Sequence, residues 1–173
     1  SDILMKAFII RRVQIIERTA GDVVLIGSTH SPGTLRIQEF LSRNGHPYAF
    51  MDLDRDPAVQ ETLDRFHVTI DEVPVVICRG EIVLRAPTNQ QIASCLGLND
   101  SIDPAQVRDL VIVGAGPAGL AAAVFAASEG LDVLMLESNA PGGQAGSSSK
   151  IENYLGFPMG IAGGELAARA YTQ

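Results

Sequence analysis

From Asp109 the chain reads Asp-Leu-Val-Ile-Val-Gly-Ala-Gly-Pro-Ala-Gly, and a second apolar stretch, Asp132 to Leu136, ends on Glu137. Few local patterns restrict a fold so tightly, because each part has a separate physical task. Leu110 to Val113 form an unbroken aliphatic run, as a strand buried on both faces would. Gly114 permits a tight turn, Gly116 lets backbone approach a pyrophosphate, and Gly119 lets the next helix pack close to the strand. Pro117 suits a first helical turn, where the N–H it lacks would have no partner, and Ala118 continues that turn. Unpaired N–H groups and the macrodipole at such a helix start favour negative charge. The Ala-rich stretch 121–127 gives the helix a thin face, and Gly130 ends it. Glu137 lies about twenty residues beyond the glycines, where a carboxylate accepts hydrogen bonds from a ribose diol. It would repel a 2′-phosphate, so the unit predicts FAD or NAD rather than NADP. Two blander readings are a nucleotide-free βαβ turn and a membrane helix. Residues 110–127 carry no charge, but the glycines and Pro117 inside so short a span argue against a membrane helix.

A length of 173 residues leaves room for one medium domain or two small ones, and 46% hydrophobic content supports real cores. The net charge of −7 disfavours nucleic acid or an anionic membrane surface as the main partner. Ser1-Asp2 is not a basic start and no cleavage site follows an apolar core, so no secretory signal is expected. Cys78 and Cys95 have neither CxxC nor metal-ligand spacing. They read as reduced, buried thiols of a cytoplasmic protein, with a disulfide or a reactive thiol as the alternatives, and no metal site is expected.

Residues 1–20 read as a helical arm. Within Ile3 to Arg18, Leu4, Phe8 and Ile15 share one face while Met5, Ile9 and Ile16 share its neighbour, a pattern suited to docking on another domain or chain. Packing on its own domain is the alternative. Residues 21–97 form a periodic α/β unit. Val23 to Ile26 reads as a strand, Leu35 to Asn44 as a helix ended by Gly45, and Tyr48 to Leu53 as a second strand. Asp56-Pro57 starts a helix carrying Val59, Leu63 and Phe66 at helical spacing. Val73 to Cys78 and Ile82 to Arg85 flank Arg79-Gly80-Glu81 as a hairpin, and Thr88-Asn89-Gln90-Gln91 is a capping box for a last helix that Gly97 ends. The order βαβαββα places parallel strands first and an antiparallel pair last. Residues 98–107 are a polar linker, and 108–173 make a second α/β unit.

The first unit resembles the thioredoxin/glutaredoxin fold. Val73-Pro74 before a strand matches that family's usually cis proline. Counting back from Phe40-Leu41 puts Ser31-Pro32-Gly33-Thr34 where glutaredoxins carry Cys-Pro-Tyr-Cys. Hydroxyls replace both sulfurs, and no cysteine precedes Cys78. A hydroxyl cannot be oxidised to a disulfide and scarcely ionises at neutral pH, so this alignment excludes thiol exchange there. Ser28, His30 and Ser31 cluster in sequence and invite a Ser/His nucleophile reading, but no third group to orient the imidazole is identifiable. His30 reads as a loop residue, and His46 and His67 as element-edge positions.

Beyond Glu137, Pro141-Gly142-Gly143-Gln144 and Ser147 to Ser149 precede Ile151-Glu152-Asn153-Tyr154-Leu155-Gly156-Phe157-Pro158. A Gly-Gly turn can approach a flat ligand, and Gln144 and Asn153 can offer amides to polar ring edges, though an ordinary loop fits these residues equally well. Together with the glycine run, residues 109–158 closely resemble the FAD-binding half of low-molecular-weight thioredoxin reductases, which carry the glycine motif, the acidic residue, GGQ and a (V/I)-E-N-aromatic-x-G-F segment in this order. The resemblance implies a truncated Rossmann-like FAD-binding domain over 108–173. It implies pyrophosphate on the turn of Gly114, Gly116, Pro117, Ala118 and Gly119, adenosine ribose on Glu137, and flavin contacts around Gly143, Gln144 and Asn153. A complete reductase continues with the rest of the FAD domain, an NADPH-binding domain and a redox-active CxxC, so no catalytic residue is assigned in this chain. The function expected of the intact protein is electron transfer from NADPH to FAD to a disulfide. Its acceptor would be a disulfide-containing protein or small molecule, with a homodimer as a compatible assembly. In the alternative, the first unit is a non-catalytic interaction or regulatory module and this chain is inactive. A thioredoxin-like unit ahead of the flavin unit also resembles larger fusions headed by a regulatory ligand-binding domain, of which Ile3 to Arg18 would be the end.

Overall fold

The computed structural model describes residues 23–56, 59–99 and 101–173. The helical arm expected at 1–20 and Pro57 of the expected helix start therefore lie outside the described residues. The chain divides into two compact units that part between Asp100 and Ser101.

In the first unit, β1 (Val23–Gly27) leads into α1 (Pro32–Arg43), β2 (Ala49–Asp52), α2 (Val59–Arg65) and a 3-10 turn at Ile70–Glu72. It closes with β3 (Val75–Cys78), β4 (Ile82–Arg85) and α3 (Asn89–Leu96). The sheet order is β2-β1-β3-β4. β1 pairs in parallel with β2, Val24 facing Ala49, and antiparallel with β3, Val23 facing Cys78; β3 and β4 make the antiparallel pair. All five residues of β1 are buried because both faces of the sheet are covered. Val23 and Leu25 pack with Ile37, Phe40, Leu41, Val76 and Ile92 on one face. Val24 and Ile26 pack with Met51, Val59, Leu63, Val75 and Ile77 on the other. This is the thioredoxin-like α/β arrangement.

Local chemistry moves two boundaries from where periodicity put them. α1 begins at Pro32, not Leu35, because Ser31 is its N-cap and proline fits the first turn. β3 begins at Val75, not Val73, because Pro74 has no N–H to give to a strand ladder; the Val73-Pro74 peptide is cis. The capping box of α3 forms as expected: the Gln91 N–H donates to the Thr88 hydroxyl at 3.2 Å, and the Thr88 N–H donates to Gln91 Oε1 at 2.8 Å.

In the second unit, β5 (Leu110–Val113), α4 (Pro117–Ser128) and β6 (Val133–Leu136) form a βαβ unit whose strands pair in parallel, Val113 facing Leu136. A 3-10 turn at Ala145–Ser147, an Ile151–Ile161 bridge and α5 (Gly163–Thr172) follow. One expectation fails here: β5 is not buried on both faces. Val111 is 51% and Val113 83% exposed, while Leu110 and Ile112 are half-buried. The aliphatic run suits two covered faces, but only one is covered within this unit, whose core is Ala115, Leu120 and Ala167 with Met135 and Ala170 packed on it. Among the described residues, no helix is long and apolar enough to cross a membrane.

Candidate functional site

The turn between β5 and α4 is held from three sides. Gly114 takes φ +98°, and its N–H donates to the Leu136 carbonyl at 2.8 Å, anchoring the turn to the end of β6. At Gly119 a side chain has no room: a Cβ would collide with the Gly114 carbonyl oxygen and meet Ile112 Cγ2 at 3.3 Å. This close approach is the helix-to-strand contact the third glycine permits. Gly116 differs, because nothing lies within 4 Å of where its Cβ would be. It is the N-cap of α4, with no side chain capping the helix, and Pro117 follows in the first turn. The N–H groups of that turn, among them those of Ala118 and Gly119, have no intrahelical acceptor by helix geometry. Open space, unpaired donors and the positive end of the dipole thus coincide at one place.

Glu137 joins this turn directly. Its Oε2 accepts the Ala115 N–H at 2.7 Å, and its Oε1 accepts the N–H groups of Ser138 and Asn139 at 2.9 and 2.8 Å. The carboxylate therefore fixes the turn as well as standing where a ribose is expected. That tie and Ala115 were missed by sequence reasoning, since the bond depends on the β5–β6 register. Gly143 is also brought in: a Cβ there would lie 3.0 Å from Gly116 Cα, and the neighbouring Gly142 N–H donates to the Ala115 carbonyl at 2.7 Å. Gln144 and Asn153 are exposed, and no hydrogen bond among the described residues ties either side chain to the turn. Asn153 stands on the loop closed by the Ile151–Ile161 bridge, beside Tyr154, whose ring centroid lies 6.0 Å from that of Phe157.

In the first unit, Ser31 caps α1 through backbone geometry without a side-chain capping bond. A Cβ on Gly33 would meet Pro74 Cγ and Cδ at 3.2 and 3.3 Å, so the helix start lies against the cis proline. Thr34 is fully buried beside Gly27, and its hydroxyl has no hydrogen-bond partner among the described residues. The Ser/His reading has no support in the geometry: the Ser28 hydroxyl donates to Asp54 Oδ2 at 2.6 Å and accepts the His30 backbone N–H at 3.1 Å. Among the described residues, no hydrogen bond joins the His30 ring to Ser28 or Ser31. Cys78 is a buried free thiol whose pKa is pushed up to about 12, mainly by burial and by the neighbouring Cys95 thiol, against a small opposing effect of Arg79. No cluster of metal-ligating side chains occurs among the described residues.

Residues 108–172 match the pyridine nucleotide-disulphide oxidoreductase family. Over these residues the chain is similar in sequence to thioredoxin reductases. A thioredoxin reductase of Ureaplasma parvum is 54% identical over 68 residues, which cover 39% of this chain and 22% of that protein. The solved thioredoxin reductase of Streptococcus pyogenes is 46% identical, with 38% of this chain and 21% of that one covered and a TM-score of 0.36. The solved glutaredoxin of Archaeoglobus fulgidus is 21% identical, with 47% of this chain and 91% of that one covered and a TM-score of 0.38. The chain spans about a fifth of the length of the curated reductases it matches.

Proposed function

We propose that residues 108–173 hold FAD within a protein that passes electrons from NADPH through FAD to a disulfide. The observation that carries this reading is the cradle at Gly116: open space at an uncapped helix N-terminus, in a turn that Glu137 and Gly143 close from either side. The donor chemistry fits a pyrophosphate, since N–H groups without intrahelical partners and a helix dipole favour an anion. In the proposed arrangement the turn from Gly114 to Gly119 takes the pyrophosphate, Glu137 takes the adenosine ribose, and Gly143, Gln144 and Asn153 border the flavin. Bound FAD would supply an acceptor for a hydride and a donor to a disulfide. The chain's own part is to orient that group and present a backbone cradle to its phosphates.

NADPH would occupy a separate domain of the intact protein, and the electron acceptor would be a disulfide-containing protein or small molecule, in a cytoplasmic and compatibly homodimeric setting. The relatives' names support this reading as thioredoxin reductases. The test is a titration of the full chain with FAD, read by quenching of flavin fluorescence. Glu137→Gln should weaken the apparent affinity by about tenfold, because an amide in place of the carboxylate loses charge-assisted bonds. Equal affinity in both proteins, or no quenching in either, would refute the assignment.

A second reading concerns the first unit alone. Ser31 and Thr34 stand at the start of α1, whose Gly33 lies against the cis proline, and neither carries a thiol, so the unit serves as an interaction or regulatory module with no thiol exchange at that place. The prediction is zero turnover in a dithiol-dependent disulfide reduction assay for the chain carrying Cys78→Ala and Cys95→Ala, in which only the Ser31 to Thr34 place is tested. Replacing both Ser31 and Thr34 by cysteine should create a reducible disulfide, and failure to form one would show the alignment to be wrong.

A further inference from the structure

The first unit lacks cysteines beside its cis proline, yet it brings its only two together elsewhere. Pro74 immediately precedes β3 and Cys78 closes it, so the strand separates the two places by its full length. Register says the same: Val75 faces Ile26 near the end of β1 that leads to α1, whereas Cys78 faces Val23 at its beginning. Along β3, Val76 and Cys78 project to the same face, into the layer that α3 covers. On α3, Ile92 is fully buried in that layer, and Cys95 and Leu96, three and four positions on, pack against the same cluster. In that layer the Cys95 thiol is, after burial itself, the neighbour that raises the Cys78 pKa. Cys78 is completely enclosed, and Cys95 is only partly so.

We propose that Cys78 and Cys95 are an oxidisable pair that closes to a disulfide when presented with a low-molecular-weight aliphatic disulfide, stapling α3 to β3. The reaction has an accessible first step and an enclosed second one. The Cys95 thiol releases its proton to solvent, and its sulfur attacks the small disulfide, expelling one thiolate that takes up a proton. The Cys78 thiol then gives up its proton, and its sulfur attacks Cys95 in the mixed disulfide, expelling the second small thiol. Two protein thiols are oxidised and one small disulfide is reduced to two thiols, so protons and electrons balance. Burial holds the Cys78 thiol protonated at neutral pH, which makes closure the slow step.

The test equilibrates the full chain with bis(2-hydroxyethyl) disulfide, denatures and alkylates it, and maps the products by mass spectrometry without reduction. The expected product is a monomer lacking two hydrogens, with the Cys78 and Cys95 peptides linked and both released by dithiothreitol. Its melting temperature should exceed that of the reduced chain by about 5–10 °C. Cys78→Ala should stop at a mixed disulfide on Cys95, whereas Cys95→Ala should leave Cys78 unmodified in the folded protein. Full alkylation of both cysteines, accumulation of the mixed disulfide in the wild-type chain without closure, or a link between two copies would overturn the proposal. The wild-type map decides the matter even if a variant fails to fold.

Discussion

At the scale of single residues, two positions carry sharp consequences. Gly119 has the Gly114 carbonyl where a Cβ would go, so Gly119→Ala must push α4 from β5. We expect a loss of about 1–3 kcal/mol in the second unit, read as a lowered denaturation midpoint of amides in 110–136 by hydrogen exchange. Thr34 presents the opposite case. Its enclosed hydroxyl has no partner among the described residues, so Thr34→Val removes an uncompensated polar group at nearly constant shape. That change should stabilise the first unit by about 1 kcal/mol in urea unfolding; a loss of similar size would mean the hydroxyl is bonded. Both positions were readable in part. The spacing of the glycines announced Gly119, whereas the bond from Ala115 to Glu137 depends on which strand residues face each other, and single-sequence periodicity does not contain that.

Elements defined by short-range chemistry were the most legible. The capping box of α3 lies within four consecutive residues and forms as written, so Thr88→Ala should cost about 1 kcal/mol of first-unit stability. By contrast, α5 escaped sequence reasoning, since Gly163-Gly164 at its start obscured the Leu166, Ala167 and Ala170 spacing. Its visible signals are the Glu165–Arg169 pair at 2.6 Å and that apolar side. The 3-10 turn before the cis proline gives an element-scale pH test. Glu72 accepts the Thr69 N–H at 2.9 Å and pairs with Arg85 at 3.2 Å, and these hold its carboxyl below its ordinary value, the backbone bond contributing most. A depressed carboxylate pKa adds stability that is present at neutral pH and lost as pH falls from the ordinary carboxylate value through the lowered one. Glu72→Gln should therefore melt below the wild type at pH 7, with the gap closing on acidification; a gap independent of pH would contradict that account.

For the whole molecule, burial separates the two units more clearly than secondary structure does. β1 and β5 are similar aliphatic runs, and both form strands. Only β1 is covered on both sides, by α1 and α3 on one and α2 on the other, whereas β5 leaves Val111 and Val113 open to solvent. Sequence alone spells the capacity for double burial and cannot say which elements supply the second cover. The second unit nevertheless completes the βαβ turn, the Glu137 tie and the approach of Gly143 within its own residues. We propose this turn as the place where FAD binds. The direct measurement is amide chemical-shift mapping of the isotope-labelled full chain during FAD titration. Saturable shifts should centre on the amides between Gly114 and Gly119, extend to Ser138, Asn139 and Gly143, and leave residues 23–56 and 59–99 unmoved. Shifts confined to the first unit, or a silent glycine turn at saturating FAD, would contradict the account.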